Sequence, residues 1–477
     1  MPNVIPIAVS NTPLPLVQQR FSLIDLSADI RIVDNVQVAD VMVGTKSEVN
    51  FYAKSDGMLL VERYLETLPF STKPKEVIKQ FLVNPNTHVY DAVAFSPLKT
   101  PPTTLNYWTG PTVLPVVGDW SVISNFLLEI TCNNDKTLCQ YFIKYLAHML
   151  QKPEEKPGIA IVMLSLEGSG KGTMFALLNA IWSRSTLEVS DIGHVIGTFN
   201  AALERNYVIC MDEALFKGDK ASMERLKSLI TEPHIRVEQK YQPSRTINSY
   251  HRFFAASNSE HFATVSLGER RLLFLRVSDK RIQDLTYFDS IYRAISDRTV
   301  ISAMVHDLVN MDLSKFNVRQ RPATKEHLNQ KIQSLSGFER FWFEVLSNGG
   351  FSTRSEGGYA STTFNQWSDA RFITTNELMN AYQYYDKNTS KYAPVQSRDI
   401  ASTLSKICPG AHSDRMKIFI KQERGYQLPK LVDARKEFEV LLGSKVTWPQ
   451  DQSEDVDSDE FKTDEFRAES DLEYMYE

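Results

Sequence analysis

The stretch SLEGSGKGT at residues 165–173 joins an apolar run, GIAIVM, to an amphipathic one, MFALLNAIW. Glycines at 168 and 170 let successive backbone N–H groups turn inward as an anion nest, and the positive end of a following helix points at the same place. Lys171 then reaches the β- and γ-phosphates of a nucleoside triphosphate, so Gly168, Ser169, Gly170, Lys171, Gly172 and Thr173 form a candidate cradle for ATP. The run departs from GxxxxGK[ST] twice. Ser165 stands where the first glycine belongs, and Gly172 separates Lys171 from Thr173, the hydroxyl expected on Mg2+. Taken alone, such a segment is also a Gly-rich strand-to-helix turn, so its company decides the reading.

Forty-one residues beyond Lys171, the apolar run YVICMDEA ends in two carboxylates. At the end of a strand beside a phosphate loop, Asp212 is suited to hold the metal and Glu213 to orient the attacking water as base. A third apolar run, YHRFFAASN, closes on Asn258, whose amide can bond both a γ-phosphate and a lytic water. Between those runs lies RVEQKYQPSRT, read as a hairpin with Lys240, Tyr241 and Arg245 at or near its tip. Lys240 there suits a nucleic-acid phosphate and Tyr241 a sugar or base, a stack worth about 1–3 kcal/mol. GERRLLFLRV follows, with Arg270 and Arg271 at the entry of another strand. A guanidinium delivered from a neighbouring subunit to the γ-phosphate is expected at Arg271, with Arg270 as the alternative.

Together SLEGSGKGT, YVICMDEALFKGDK, LKSLITEPHIRVEQKY, FFAASN and GERRLLFLRV resemble the superfamily 3 helicase domain of primase-helicases from phages, plasmids and large DNA viruses. The likeness extends upstream through NYWTG and MLQKPEEKPG, covering roughly residues 90–279. The resemblance implies a P-loop NTPase core of AAA+ type, a hexameric ring with ATP sites at subunit interfaces, and 3′ to 5′ travel on single-stranded DNA at a forked duplex. It also places the Walker A lysine at Lys171, the Walker B acids at Asp212 and Glu213, the sensor at Asn258, the channel lysine at Lys240 and the finger at Arg271. An initiator ATPase that melts or clamps DNA shares these motifs. A nucleotide kinase shares the KGT loop, but it needs an Arg-rich lid rather than a late DE strand and an Asn sensor. The residues before the motor show no paired-carboxylate site for priming. A separate primase or polymerase, or a single-strand-binding protein, is therefore an expected partner, unless the chain is a fragment of a longer one.

The elements that must position these residues follow from periodicity. Apolar strands alternating with helices from 158 onward predict a doubly wound α/β core at 158–320. Residues 1–88 read as an arm and a small mixed region, and SVISNFLLEITCNNDKTLCQYFIKYLAHMLQ makes 89–157 a mainly helical collar. Tyr107 and Trp108 are expected as core anchors rather than stacking platforms. Over 321–435 the order helix, helix, hairpin predicts a winged-helix-like α+β domain. TTNE at 374–377 forms a capping box there, Ser397 is a cap, and MKIFIKQERGYQL makes two strands turning around Glu423 to Gly425. Residues 436–477 are an acidic tail, expected to be disordered.

Composition sets outer bounds. The formal net charge is −5, with 42% hydrophobic and 23% charged residues. The last 27 residues hold 12 acids and 2 bases, which leaves the body at +5, a balance compatible with binding phosphate backbones. No apolar run is long enough to span a bilayer, and the N-terminus lacks the basic segment of a secretory signal. Cys132, Cys139, Cys210 and Cys408 show no metal-ligand spacing, so buried free thiols in a reducing, intracellular compartment are expected.

Overall fold

The computed structural model describes residues 12–25, 29–43, 49–71, 73–213, 220–238, 244–259, 262, 265–354, 362–389 and 397–449. Residues 450–477 of the expected tail, Lys240 and Tyr241 lie outside them, whereas residues 436–442, also expected to be disordered, continue the helix Leu431–Leu442, which buries Phe438 and Leu442. The chain divides into two compact units, residues 1–264 with 269–330, and residues 265–268 with 331–477.

A parallel sheet organises the first unit. Its strands are β1 (Ala160–Leu164), β2 (Thr186–Val189), β3 (Val208–Met211), β4 (Arg252–Ser257) and β5 (Leu272–Arg276), in the order β5-β1-β4-β3-β2. β1, β3 and β4 are buried at every position, as strands covered on both faces must be. The helix α1 (Lys171–Ile181) leads from β1 across to the far edge, whereas β5 returns to the other side of β1. This reversal of direction opens a crevice at the carboxyl ends of the strands, where ligands of open α/β sheets bind.

The helix Lys136–Gln151 is capped by Asp135, which accepts from the Leu138 N–H at 2.9 Å. It buries Phe142, Tyr145 and Leu146 in the same core as Ile161, Met163, Phe254 and Leu273, so the expected collar shares its core with the sheet. Each such side chain removed from water contributes about 1.5–3 kcal/mol. Trp108 packs edge-on against Phe95 and Tyr207, and Tyr107 is buried, as core anchors are. All four cysteines are buried free thiols.

β4 opens on Arg252, which is fully buried. Its guanidinium donates to the carbonyls of Tyr250 (2.7 Å), Lys152 (3.2 Å), Pro153 (3.3 Å) and Glu155 (2.6 Å), and lies 5.0 Å from the centre of the Tyr207 ring. That cluster ties the KPEEK segment, residues 152–156, to the start of β4 through three of its backbone carbonyls. Next to it His251 receives from Ser249 at Nδ1 (2.9 Å) and donates from Nε2 to the Leu203 carbonyl (2.8 Å), the neutral tautomer these partners select. Burial holds its pKa down to about 4, and the charges of Lys156 and Arg252 add to the effect against the Leu203 bond.

Upstream, Phe21–Asp25 and Ile30–Asp34 pair antiparallel inside a four-stranded sheet. Residues 13–20, expected as part of a Pro-rich arm, form a helix with proline at its first turn, a position where the missing N–H has no partner to lose.

In the second unit, Arg371–Thr374, His412–Ile418 and Lys421–Leu428 form a three-stranded antiparallel sheet beside the helices Thr375–Thr389, Ser397–Ile407 and Leu431–Leu442. The capping box is present: Thr374 N and Oγ1 donate to Glu377 Oε2 (2.8 and 2.9 Å), and Glu377 N donates to Thr374 Oγ1 (3.1 Å). The hairpin turn is a correction. It lies at Phe419 and Ile420, not around Glu423 to Gly425, because Gly425 is held mid-strand opposite both Thr374 and Asp414. A Cβ at Gly425 would stand 2.1 Å from the Ile373 carbonyl oxygen, so the close strand contact itself requires glycine there.

Candidate functional site

β1 ends at Leu164 and the chain turns through residues 165–170 into α1. Gly168 (φ 75°) and Gly170 (φ 103°) adopt left-handed conformations that a side chain disfavours. A Cβ at Gly170 would meet the Phe288 ring at 2.8 Å, whereas Cβ atoms at Gly168 and Gly172 would meet nothing within 4 Å. One glycine thus packs under the helix α3 (Leu285–Ser296), and the other two leave open space beside the loop's backbone.

Lys171 is buried at the start of α1. Its Nζ donates to the carbonyls of Ser165 (2.9 Å) and Leu166 (3.2 Å), and hydrogen-bonds Asn258 Oδ1. The loop of β1 and the end of β4, 87 residues apart, therefore meet on one ammonium group. Burial lowers the Lys171 pKa, opposed in turn by Asp212, Glu167 and Glu213, so the two carboxylates at the end of β3 act on the same charge. Ser169 donates to the Leu166 carbonyl (2.8 Å) and is bonded to Ser165 through their hydroxyls, which fastens the loop.

At β3 the backbone N–H of Asp212 donates to Val189 O (2.8 Å), and Glu213 leaves the strand in a left-handed conformation (φ 52°), its N–H on Asp212 Oδ1 (3.0 Å). A non-glycine residue in this region stores roughly 1–3 kcal/mol, which the surroundings must hold. The turn exposes the Glu213 side chain at the carboxyl edge. Thr173 is placed differently from the expectation: it is buried, and its hydroxyl donates to Tyr292 of α3 at 3.3 Å.

Arg270 and Arg271 precede β5, at the amino edge of the sheet. The five residues of β5 carry the chain about 16 Å before the carboxyl edge, so neither arginine belongs to the crevice that holds Lys171. Their loop is fixed by Glu269. Its Oε1 accepts from the N–H groups of Arg270 (2.9 Å) and Arg271 (2.7 Å), and its Oε2 pairs with Lys227 (3.2 Å) of the helix α2 (Lys220–Thr231). Arg321 completes the frame by donating to the carbonyls of Glu269 (2.9 Å) and Arg270 (3.3 Å). Arg245 opens the strand Arg245–Asn248, which pairs antiparallel with His234–Val237 in the expected hairpin.

Two residues escaped the sequence reading. Glu269 looked like one more charge in GERR, and only its burial between two N–H groups and Lys227 shows its part. Glu188 sits opposite Cys210 in the β2–β3 register. Burial and then Asp212 raise its pKa, which places a third carboxyl beside the pair. Among the described residues no group of three or more His, Cys, Asp or Glu is arranged to hold a metal by itself, and no helix is long and apolar enough to cross a membrane.

A family model described as "Family of unknown function (DUF5906)" matches residues 163–271, which run from the end of β1 to the threshold of β5. The DNA primase-polymerase of Nitratiruptor phage NrS-1 is 24% identical over 284 residues, or 57% of this chain and 38% of that protein. The chain is similar to a phage replication enzyme. It matches well under half of that relative's length. The A form apo structure of the NrS-1 C-terminal region has a TM-score of 0.60 at 15% identity, covering 87% of this chain and 98% of that one. A second apo structure of that region gives 0.54 at 16% identity, covering 88% and 100%. At these identities the structural likeness establishes the fold alone.

Proposed function

We propose that this chain is an ATP-hydrolysing motor of DNA replication, a superfamily 3 ring helicase with an AAA+-type core that moves on single-stranded DNA. The observation that carries the proposal is the meeting of Lys171, the loop carbonyls and Asn258 at the carboxyl edge, with Asp212 and Glu213 acting on the same charge. Support comes also from the order β5-β1-β4-β3-β2, which brings the ends of β1, β3 and β4 side by side.

The residues fit a triphosphate and Mg2+. The open space at Gly168 and Gly172 admits phosphate oxygens to the loop's N–H groups, and the buried ammonium of Lys171 exchanges carbonyl partners for phosphate. Mg2+ is commonly held by one or two carboxylates together with the phosphates, so the absence of a closed ligand cluster does not count against Asp212 as its anchor. Once bound, the metal supplies charge neutralisation at the phosphates. With Thr173 engaged by Tyr292, Asp212 is the stronger metal-holding candidate. Glu213, exposed at its turn, is left to accept a proton from water, with Asn258 orienting that water against the γ-phosphate. Arg270 and Arg271, at the opposite edge, act on the site of a neighbouring copy, which makes a ring the working form and a hexamer the expected one. A motor that opens duplex DNA would expose template for a primase-polymerase, the activity named for the phage relative.

The test is ATPase activity measured with and without single-stranded DNA, alongside unwinding of a forked duplex by the same preparation. Lys171→Ala should abolish nucleotide binding, and Glu213→Gln should keep binding while hydrolysis falls by about 10²–10⁴-fold. Normal hydrolysis by Glu213→Gln would remove Glu213 as the base, and DNA-stimulated hydrolysis without unwinding would favour an initiator ATPase.

A further inference from the structure

The second unit carries a two-stranded wing whose ends differ in character. Arg371–Thr374 pairs only with residues 425–428, so His412–Ile418 and Lys421–Leu428 run on together beyond it. At the tip stand Phe419, 95% exposed, and Ile420, 92% exposed. Phe419 has φ 54°, in the region where a tight hairpin turn prefers glycine or asparagine to a bulky side chain. A polar or glycine turn would satisfy local folding better. Phe419 therefore opposes the turn, and both apolar residues stand exposed to solvent.

The strands behind the tip segregate charge. Arg415 faces Arg424 and Lys417 faces Gln422 across the ladder, so the alternation of side chains puts three cations and no carboxylate on one face. The other face carries Asp414, Met416, Glu423 and Lys421, two acids to one base. Among the described residues no ion pair involves Arg415, Lys417 or Arg424, all three of which are exposed.

We propose that this wing binds the end of a DNA duplex, with Phe419 and Ile420 stacked on or wedged beside the terminal base pair and Arg415, Lys417 and Arg424 on the phosphates of one strand. The inference rests on the replication reading above for its setting, but its geometry is independent of the ATP site. Charge complementarity argues for nucleic acid, because a face of three unpaired cations beside an apolar tip matches phosphates flanking a base step. Size argues the same way. A stable protein interface needs about 800 Å² from each partner, more than two side chains provide, whereas wedging a base step takes only one or two apolar side chains.

The test uses the full chain and a forked duplex with 2-aminopurine at the junction, beside a blunt duplex and a single strand. Binding of the unaltered chain should raise the 2-aminopurine fluorescence. The double variant Phe419→Ser, Ile420→Ser should lose that rise and bind the fork several-fold more weakly, with its single-strand affinity and its melting unchanged. Arg415→Ala with Lys417→Ala should keep the tip but flatten the dependence of log K on log salt by about 0.9 per phosphate lost. An unchanged fluorescence rise and fork affinity in the tip variant would overturn the proposal. So would a loss of self-association on sedimentation, since the tip would then belong to a contact between copies. Basal ATPase is read on every variant: its absence throughout would sink the motor reading while leaving junction binding to stand or fall on the fluorescence.

Discussion

Replacing His251 by glutamine removes a titratable ring from directly before β4, the strand that delivers Asn258. In the fold the ring is fully buried, and burial with the charges of Lys156 and Arg252 holds its pKa at about 4; the unfolded value is 6.5. Between these values the unfolded chain binds a proton that the folded one refuses, so stability is complete above pH 6.5 and declines as pH falls toward 4. At about 1.36 kcal/mol per pH unit, the ring is responsible for roughly 3 kcal/mol across that window. His148, also held at about 4 chiefly by burial, acts in the same direction and is present in both proteins. The comparison of the two therefore isolates His251. Urea unfolding followed by circular dichroism at neutral pH and at about pH 4.5 should show the unaltered chain losing some 2–3 kcal/mol more than His251→Gln. Glutamine can still donate to Leu203 and accept from Ser249, so the variant should fold. Equal acid sensitivity in the two proteins, or a His251 ring signal titrating near 6.5, would refute the reasoning.

Two further outcomes follow from the site. Glu269→Gln removes the buried one of the two carboxylates on Lys227, leaving Glu224 (2.8 Å), and weakens the hold on the Arg270 and Arg271 N–H groups. Nucleotide binding should persist while assembled hydrolysis drops at least tenfold, and mixing with Lys171→Ala subunits should restore turnover where an intact finger meets an intact loop; no rescue in mixed assemblies would argue against action in trans. Gly170→Ala combines a left-handed backbone with a 2.8 Å approach to Phe288. It should lower thermal stability by about 1–3 kcal/mol and weaken binding of a fluorescent ATP analogue, and full affinity in that variant would mean the loop does not cradle phosphate.

The sequence alone determined the local features. β1 and β3 are continuous apolar runs, and β4 and β5 are apolar between Arg252 and Ser257 and up to Arg276, legible because strands buried on both faces are built mostly of apolar residues. The capping box at Thr374 and Glu377 was equally legible, since its partners are three residues apart. Motif order also placed Lys171 in the loop between a strand and a helix, and Asp212, Glu213 and Asn258 at strand ends, before any pairing was known. The tertiary structure alone decided what depends on residues distant in sequence. Strand order brings Asn258 to Lys171 and separates Arg271 from both, although Arg271 is only 13 residues from Asn258 along the chain. The same long-range pairing explains the misplaced wing turn. Locally, ERG at 423–425 is a fair turn, but Gly425 is fixed between two other strands and the chain reverses at Phe419 instead. Glu269, Glu188 and the engagement of Thr173 by Tyr292 were hidden for that reason too. A charge or hydroxyl reveals its part only through the partner that burial brings to it, and nothing local encodes that partner.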